Sequence, residues 1–493
     1  MRQTRVLLPA TIALLALPAS FAYAANAEEL RDVHLDTLPR TAEEAARIAT
    51  VTAPPTDFSV PQTFEALSAG KGTITAREPG QSFKLPQANI GDLALDFTLG
   101  EAMFDKLWVS SPSSTKASDG LGPLYNTRAC RVCHAGGGRG HAPDSPEDDA
   151  QSMVLRLTLP DGSPDPTYGG QLQDFSISGH VAEGRVRVDW EEFEVPLEGE
   201  APARLRRPTW SVVDTTFGPT HPDMAVSPRI APQMIGLGLL EAIPAADILA
   251  GADPEDADGD GISGRASVVW SVEYGQPMLG RFGLKAATPT VREQSAAAFS
   301  GDIGLSTPLF PAAWGDCTEA QAGCRTDTHG DGDVRVFEVD DVGLDLTTLY
   351  GRNLGVPARR DVGDPEVLRG KEMFHAAGCA ACHRPAYVTH RLTDQPQQSF
   401  QLIWPYTDML LHDMGPDLAD AGPDGTEWRT PPLWGIGLTE EVSGHTQFLH
   451  DGRARSLLEA VLWHGGEAQA ARDTVTQMAA PDRAALIRFL ESL

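Results

Sequence analysis

The sequence predicts a mainly α protein of two related domains, the first carrying a small β-rich insertion. Three observations predict it. The pattern Cys-x-x-Cys-His occurs twice, at residues 130–134 and 379–383. A stretch of one layout lies downstream of each copy: GRFGLKAATPTVREQSAAAF and QFLHDGRARSLLEAVLWHGG set Phe282 against Phe448 and Val291 against Leu457 at constant offset. Residues 151–205 differ in character, with SMVLRLTLP and GRVRVDWEEFEVPL reading as short strands between polar turns.

At the N-terminus, Arg2 and Arg5 precede the apolar run from Val6 to Leu17, and Ala22-Tyr23-Ala24 has the form of a cleavage site. Residues 1–24 therefore read as a secretory signal peptide, with Ala25-Asn26-Ala27 as a second cleavage candidate. No cysteine follows the run to take a lipid, and no later apolar stretch approaches the roughly 18 residues of a membrane span. A soluble protein of the periplasm is expected.

Residues 28–150 read as helix and loop around the first motif, and the first domain resumes from 206 to 345 beyond the insertion. There RIAPQMIGLGLLEAIPAADIL is helical in character, with Glu241 the single charge of its middle part. DPEDADGDGISGR spaces Asp256, Asp258 and Asp260 like the first half of a calcium loop, although Ser267 stands where an EF-hand has its glutamate. Asp331 and Asp333 form a weaker acidic pair. Thr288 with Pro289 is placed to start the helix through Val291. Cys317 and Cys324 lie close together in a polar loop of an exported chain, which predicts a disulfide between them.

The second domain spans 346–493. Gly370 to Phe374 is expected to open a short helix, with Phe374 beside the second cysteine motif. Ser456 with Glu459 forms a capping-box pattern, after which Leu457, Val461 and His464 fall on one helical face ended by Gly465-Gly466. The chain closes on PDRAALIRFLESL, where Pro481 suits a first turn and Leu486, Phe489, Leu490 and Leu493 recur at helical spacing.

Two cysteines three apart can form thioethers to the vinyl groups of one haem, and the histidine that follows can ligate its iron. No further Cys-x-x-Cys pair exists to complete a zinc site instead. The motifs thus predict two covalently bound haem c groups, attached at Cys130, Cys133, Cys379 and Cys382, with His134 and His383 as proximal ligands, in two cytochrome c-like domains. His464 sits in line to reach the second iron; His450, His412, Met409 and Met414 are rivals. For the first iron His180, His221, Met224, Met234 and Met278 are available, and none has a context that compels ligation, which leaves room for an open site. The formal charge of −29 excludes a nucleic-acid partner held by electrostatics and suits a cationic redox partner.

The segments DGLGPLYNTRACRVCHAGGGRG, SPRIAPQMIGLGLLEAI, DADGDGISGR, GRFGLKA, PYTDMLLHDMGPDL, WRTPPLWGIG and FLHDGRARSLLEAVLWHGGEA together resemble the di-haem oxidoreductase family of putative peroxidases, also labelled thiol oxidoreductases. The chain is similar at greater distance to bacterial di-haem cytochrome c peroxidases and MauG-type enzymes. The resemblance implies that the C-terminal haem takes electrons from a donor and passes them to an N-terminal haem that reacts with hydrogen peroxide. It implies His464 at the position of the usual methionine ligand, Gln294 as the distal glutamine, and Asp302 nearest to the distal glutamate. It sets Leu284 where those relatives have a tryptophan between the haems, leaving Trp434 or Phe282 as aromatic substitutes. A di-haem electron carrier and MauG-like oxidation of a protein or metal-linked substrate are the alternatives. The thiol label has no free Cys-x-x-Cys to act through.

Overall fold

The structure, a computed structural model, describes residues 30–76, 80–145, 148, 151–330, 336–420, 422 and 424–493. The signal-peptide residues and the Asp331/Asp333 pair lie outside these.

Six helices position the site: α1 (Ala94–Asp105), α2 (Val291–Ile303), α3 (Asp341–Asn353), α4 (Pro365–Ala376), α5 (Leu457–Leu462) and α6 (Ala480–Ser492). Two crossings organise them, α1 on α3 and α4 on α6. Each crossing is closed by a glycine. A Cβ on Gly100 would lie 2.2 Å from the Leu346 carbonyl oxygen, and one on Gly370 would lie 1.9 Å from that of Ala485. No other residue type permits such an approach of two backbones. Aromatic rings then fill each crossing, Phe97 and Phe104 against Tyr350 at 4.9 and 5.1 Å and Phe374 against Phe489 at 5.2 Å between centroids.

Helix α4 starts earlier than Gly370. Asp364 caps it by accepting from the Glu366 and Val367 amides, and Pro365 occupies its first turn. Helix α6 opens as the sequence indicates, with Pro481 in its first turn and Leu486, Phe489 and Leu490 buried.

The described residues also hold seven two-stranded antiparallel sheets, so the fold is a mixture of helices and short strands rather than mainly α. Four strands form the larger pairs: β1 (Met153–Thr158), β2 (Arg185–Val195), β3 (Ala203–Val213) and β4 (Ala225–Ile230). β2 and β3 make a long ribbon in which Arg185 faces Val213 and Val195 faces Ala203, while β1 pairs with β4. Strand structure therefore continues past residue 205, and α3 spans the expected boundary at 345/346. Only two short helices, Leu237–Glu241 and Ala245–Leu249, form where a longer helical stretch was expected.

The internal repeat is visible in the backbone. Phe282 bridges Thr288 and Phe448 bridges Ala454, each across a turn with two positive φ angles, at Gly283 and Ala286 in one copy and Leu449 and Gly452 in the other. Helices α2 and α5 follow at the same interval, capped by Thr290 and Ser456 side chains that accept from the Glu293 and Glu459 amides. The cap of α2 is thus Thr290, not Thr288. At α5 the capping box is half made, since the Glu459 carboxylate accepts from the Arg455 amide rather than from Ser456.

Glu241 ties the start of α2 to α3. Fully buried, its carboxylate accepts from the Val291 amide at 2.8 Å and from Arg352 Nε at 2.5 Å. Burial alone would raise its pKa, but the Arg352 guanidinium and its hydrogen bonds hold the group below the usual carboxylate range. Glu241→Ala removes the acceptor that the Val291 amide and Arg352 share and leaves Arg352 only part of its compensating charge, from Glu273. A loss of about 3 kcal/mol is expected, measured as the fall in the chemical denaturation midpoint.

Candidate functional site

One cavity of about 1280 Å³ is lined by both Cys-x-x-Cys-His motifs. That exceeds the roughly 300–1,000 Å³ of an ordinary small-molecule site. Cys130, Cys133, His134, Cys379, Cys382, His383 and His464 all contribute to its wall.

The three histidines share one arrangement. His134 Nδ1 donates to the Pro232 carbonyl at 2.8 Å, His383 Nδ1 to that of Tyr406 at 3.0 Å, and His464 Nδ1 to that of Ala460 at 2.8 Å. A carbonyl only accepts, so the proton is fixed on Nδ1 and Nε2 keeps its lone pair for a metal. Burial also holds each ring neutral, His134 and His383 down to about 4 and His464 in the same direction. The Cys130 and Cys379 thiols are pushed up to about 12 by burial, which keeps them from acting as free thiolates.

A phenylalanine stands near each motif histidine, Phe104 at 6.2 Å from His134 and Phe374 at 6.3 Å from His383, centroid to centroid. Only Phe374 was singled out from the sequence. The signal for its counterpart was there: GEAMF at 100–104 repeats the Gly-x-x-Met-Phe of GKEMF at 370–374.

The rival ligands separate on geometry. Both ring nitrogens of His412 are taken, Nδ1 by Glu467 at 2.7 Å and Nε2 by Asp408 at 2.8 Å. Met409 is buried away from the cavity wall, whereas His450 and Met414 line it. His450 stacks on Trp428 with centroids 4.0 Å apart. In the first half His180 binds Asp327 at 2.6 Å, Met224 packs against the Leu155–Tyr168 cluster, and Met278 is buried in a strand. Of the five first-haem candidates Met234 alone lines the cavity, two residues from the Pro232 that holds His134.

Gln294 and Asp302 both reach the cavity from α2. The Gln294 carbonyl oxygen accepts from Thr288 Oγ1 at 2.7 Å, which turns its amide N–H groups to donation elsewhere. Asp302 accepts from Gln171 Nε2 at 2.8 Å, and the same nitrogen reaches Asn126 Oδ1 at 2.5 Å. Burial pushes the Asp302 carboxyl above its ordinary pKa, and the Gln171 bond opposes the shift. Gln171 carries no motif and was not expected at the site. Leu284 and Phe282 line the cavity, as does Trp428, which the sequence did not single out; Trp434 does not.

Away from the cavity floor, Asp253, Asp256 and Asp258 have carboxylate oxygens within 4.8 Å of one another. Asp253 thus takes the place expected of Asp260, which instead lines the cavity. Cys317 and Cys324 form a disulfide.

The family model for "Di-haem oxidoreductase, putative peroxidase" matches residues 64–158 and 211–493. This chain belongs to the di-haem oxidoreductase family. Membership implies haem as the cofactor and peroxidase-like oxidation–reduction as the class of chemistry. No curated protein matches the chain. Among solved structures, hydrazine synthase of Kuenenia stuttgartiensis, pressurized with 20 bar xenon, superposes with a TM-score of 0.22 at 16% identity. It covers 40% of this chain and 70% of that one, a likeness too slight to speak to shared chemistry. No helix among the described residues is long and apolar enough to cross a membrane.

His412 supplies a pH test of the cavity wall. Burial opposes its charge, but hydrogen bonds with Asp408, Cys382 and Glu467 outweigh it and push the ring up to about 12. A raised folded pKa contributes stability in full below the ordinary value of about 6.5 and loses it as the pH rises toward 12. The unfolding midpoint of the protein should therefore decline as pH rises above about 6.5, and His412→Phe should lose that slope while unfolding earlier at neutral pH.

Proposed function

We propose that this chain is a periplasmic di-haem c-type oxidoreductase that reduces hydrogen peroxide at its first Cys-x-x-Cys-His motif with electrons relayed by the second. One observation carries the reading. Helices α2 and α5 start at equivalent places in the internal repeat, and seven residues after their first residues stand Ala298, within α2, and His464, two residues past the end of α5. Both line the cavity. The second half offers an imidazole where the first offers a methyl group, so the residues would give a second nitrogen ligand in one half and leave room for a substrate in the other.

The residues present fit two haems, in two c-type domains that each pair a helix before the motif with the last helix of that half. Cys130 and Cys133 would anchor one group and Cys379 and Cys382 the other; His134 would ligate one iron, and His383 and His464 the other. Bound there, haem supplies the redox chemistry by which one peroxide, two electrons and two protons give two waters.

The chain's own part is placement and proton supply. Gln294 presents an amide N–H to a peroxide oxygen while Thr288 holds its carbonyl oxygen. Asp302, with its raised pKa, holds a proton near the first motif and gives it to the departing oxygen, and Gln171 keeps the carboxyl in place. Asn126 and Thr127 donate to the Asp302 carbonyl at 2.9 and 3.0 Å and so fix the end of α2 against the loop that leads into Cys130. The acidic surface suits a cationic electron donor.

Ala298→His tests the reading by giving the first half the side chain of the second. Peroxide consumption by the reduced protein should fall by at least about 100-fold, the scale of losing a catalytic contribution of this kind, as followed by stopped-flow. An unchanged rate would place the peroxide reaction elsewhere.

A further inference from the structure

The two stretches that match the family leave out residues 159–210, and the β2–β3 ribbon is built largely from that segment. Its base belongs to the first half. Val186 and Val212 pack against Leu155, Tyr168 and Leu172, and Trp210 packs against Met153 and Ile230. Strands of eleven residues reach about 35 Å, which carries the ribbon's far end into the other half. There Leu197 and Leu205 are buried in the core that holds Phe374, Trp463 and Leu486.

The turn at the far end bonds to Thr476 and Arg483 through Glu198 and Glu200, and the strands beside it grip the turn and helix that lead to His464. Phe193 meets the Trp463 ring edge-on, with centroids 5.4 Å apart. Arg206 donates to the carbonyls of Arg453 at 3.1 Å and Gly452 at 2.9 Å. Arg455 reaches across to Glu192 at 3.0 Å and to the Arg204 carbonyl at 2.7 Å while its Nε holds Glu459.

Helix α5 needs such support. It has six residues, of which Leu462 alone is buried, whereas α2 in the equivalent place has thirteen residues and five buried side chains. A single helical turn or two is marginal without tertiary packing. We propose that the ribbon is a strap that positions His464, pressing Trp463 and the 452–455 turn into place so that the imidazole stays on the second iron. The inference rests on the reading of His464 as that iron's ligand. Phe193 and Arg206 are positioning residues in it. The exposed Glu192–Arg455 pair adds little, since solvent screens such a pair.

The test uses the full-length ferric protein with both haems. Exogenous imidazole is added, and its rate of replacing His464 is followed in the second haem's low-spin EPR and visible spectra. Phe193→Ala and Arg206→Ala should each exchange roughly tenfold faster than the unaltered protein, a factor equal to about 1.4 kcal/mol, with imidazole binding at the first haem the same in all three proteins. Glu194→Gln, on the ribbon but paired only with exposed Arg204, should exchange at the original rate. Arg206→Ala leaves the apolar packing intact and carries the test if Phe193→Ala does not fold. Exchange within about twofold of the unaltered protein in both variants would overturn the strap. His464→Ala separates the two readings: a second-haem spectrum unchanged by it removes the ligand assignment itself, whereas a changed one with unaltered exchange in the strap variants removes the strap alone.

Discussion

Three backbone carbonyls govern what the cavity can bind. Pro232, Tyr406 and Ala460 each accept the Nδ1 proton of a histidine and so turn a basic Nε2 toward the space between the motifs. A histidine without such a partner could hold its proton on either nitrogen and rotate about its side chain. With it, tautomer and direction are both fixed before any metal arrives.

The two halves share this framework and differ at one decisive position. A helix capped by a hydroxyl, following a turn of the same backbone form, delivers His464 in one half and Ala298 in the other. The longer α2 also brings Gln294 and Asp302: at the equivalent places the other half has Ala460, within α5, and Ala468, beyond its end. On the proposed reading, this divergence would give one half two imidazoles to hold an iron and the other half room for a substrate.

Much of this was legible in the sequence because it lay in local patterns. The two cysteine motifs, the Ser456 cap, the placement of Pro481 and the Phe282/Phe448 offset each depend on residues within a turn or two of one another. The short strand pairs were not legible, since elements of two to four residues, such as Leu411–Asp413 against Glu427–Arg429, carry no readable period. Gln171 was invisible for a different reason: it meets Asp302 across 131 residues of chain, and nothing local marks it. The start of α4 was misplaced because Asp364-Pro365, a strong cap and first turn, was passed over for the glycine that serves the helix crossing instead. Asp260 was grouped by its alternating spacing, but Asp256 adopts a positive φ that redirects the loop and brings Asp253 into the cluster.

The proposed peroxidase needs one open iron beside one closed iron. Low-temperature EPR of the purified diferric protein tests it most directly. A high-spin ferric signal from one haem together with a low-spin signal from a bis-histidine haem is the predicted spectrum. Two low-spin signals, with no high-spin component in the resting or half-reduced protein, would contradict the open site at Ala298 and leave electron transfer as the protein's role.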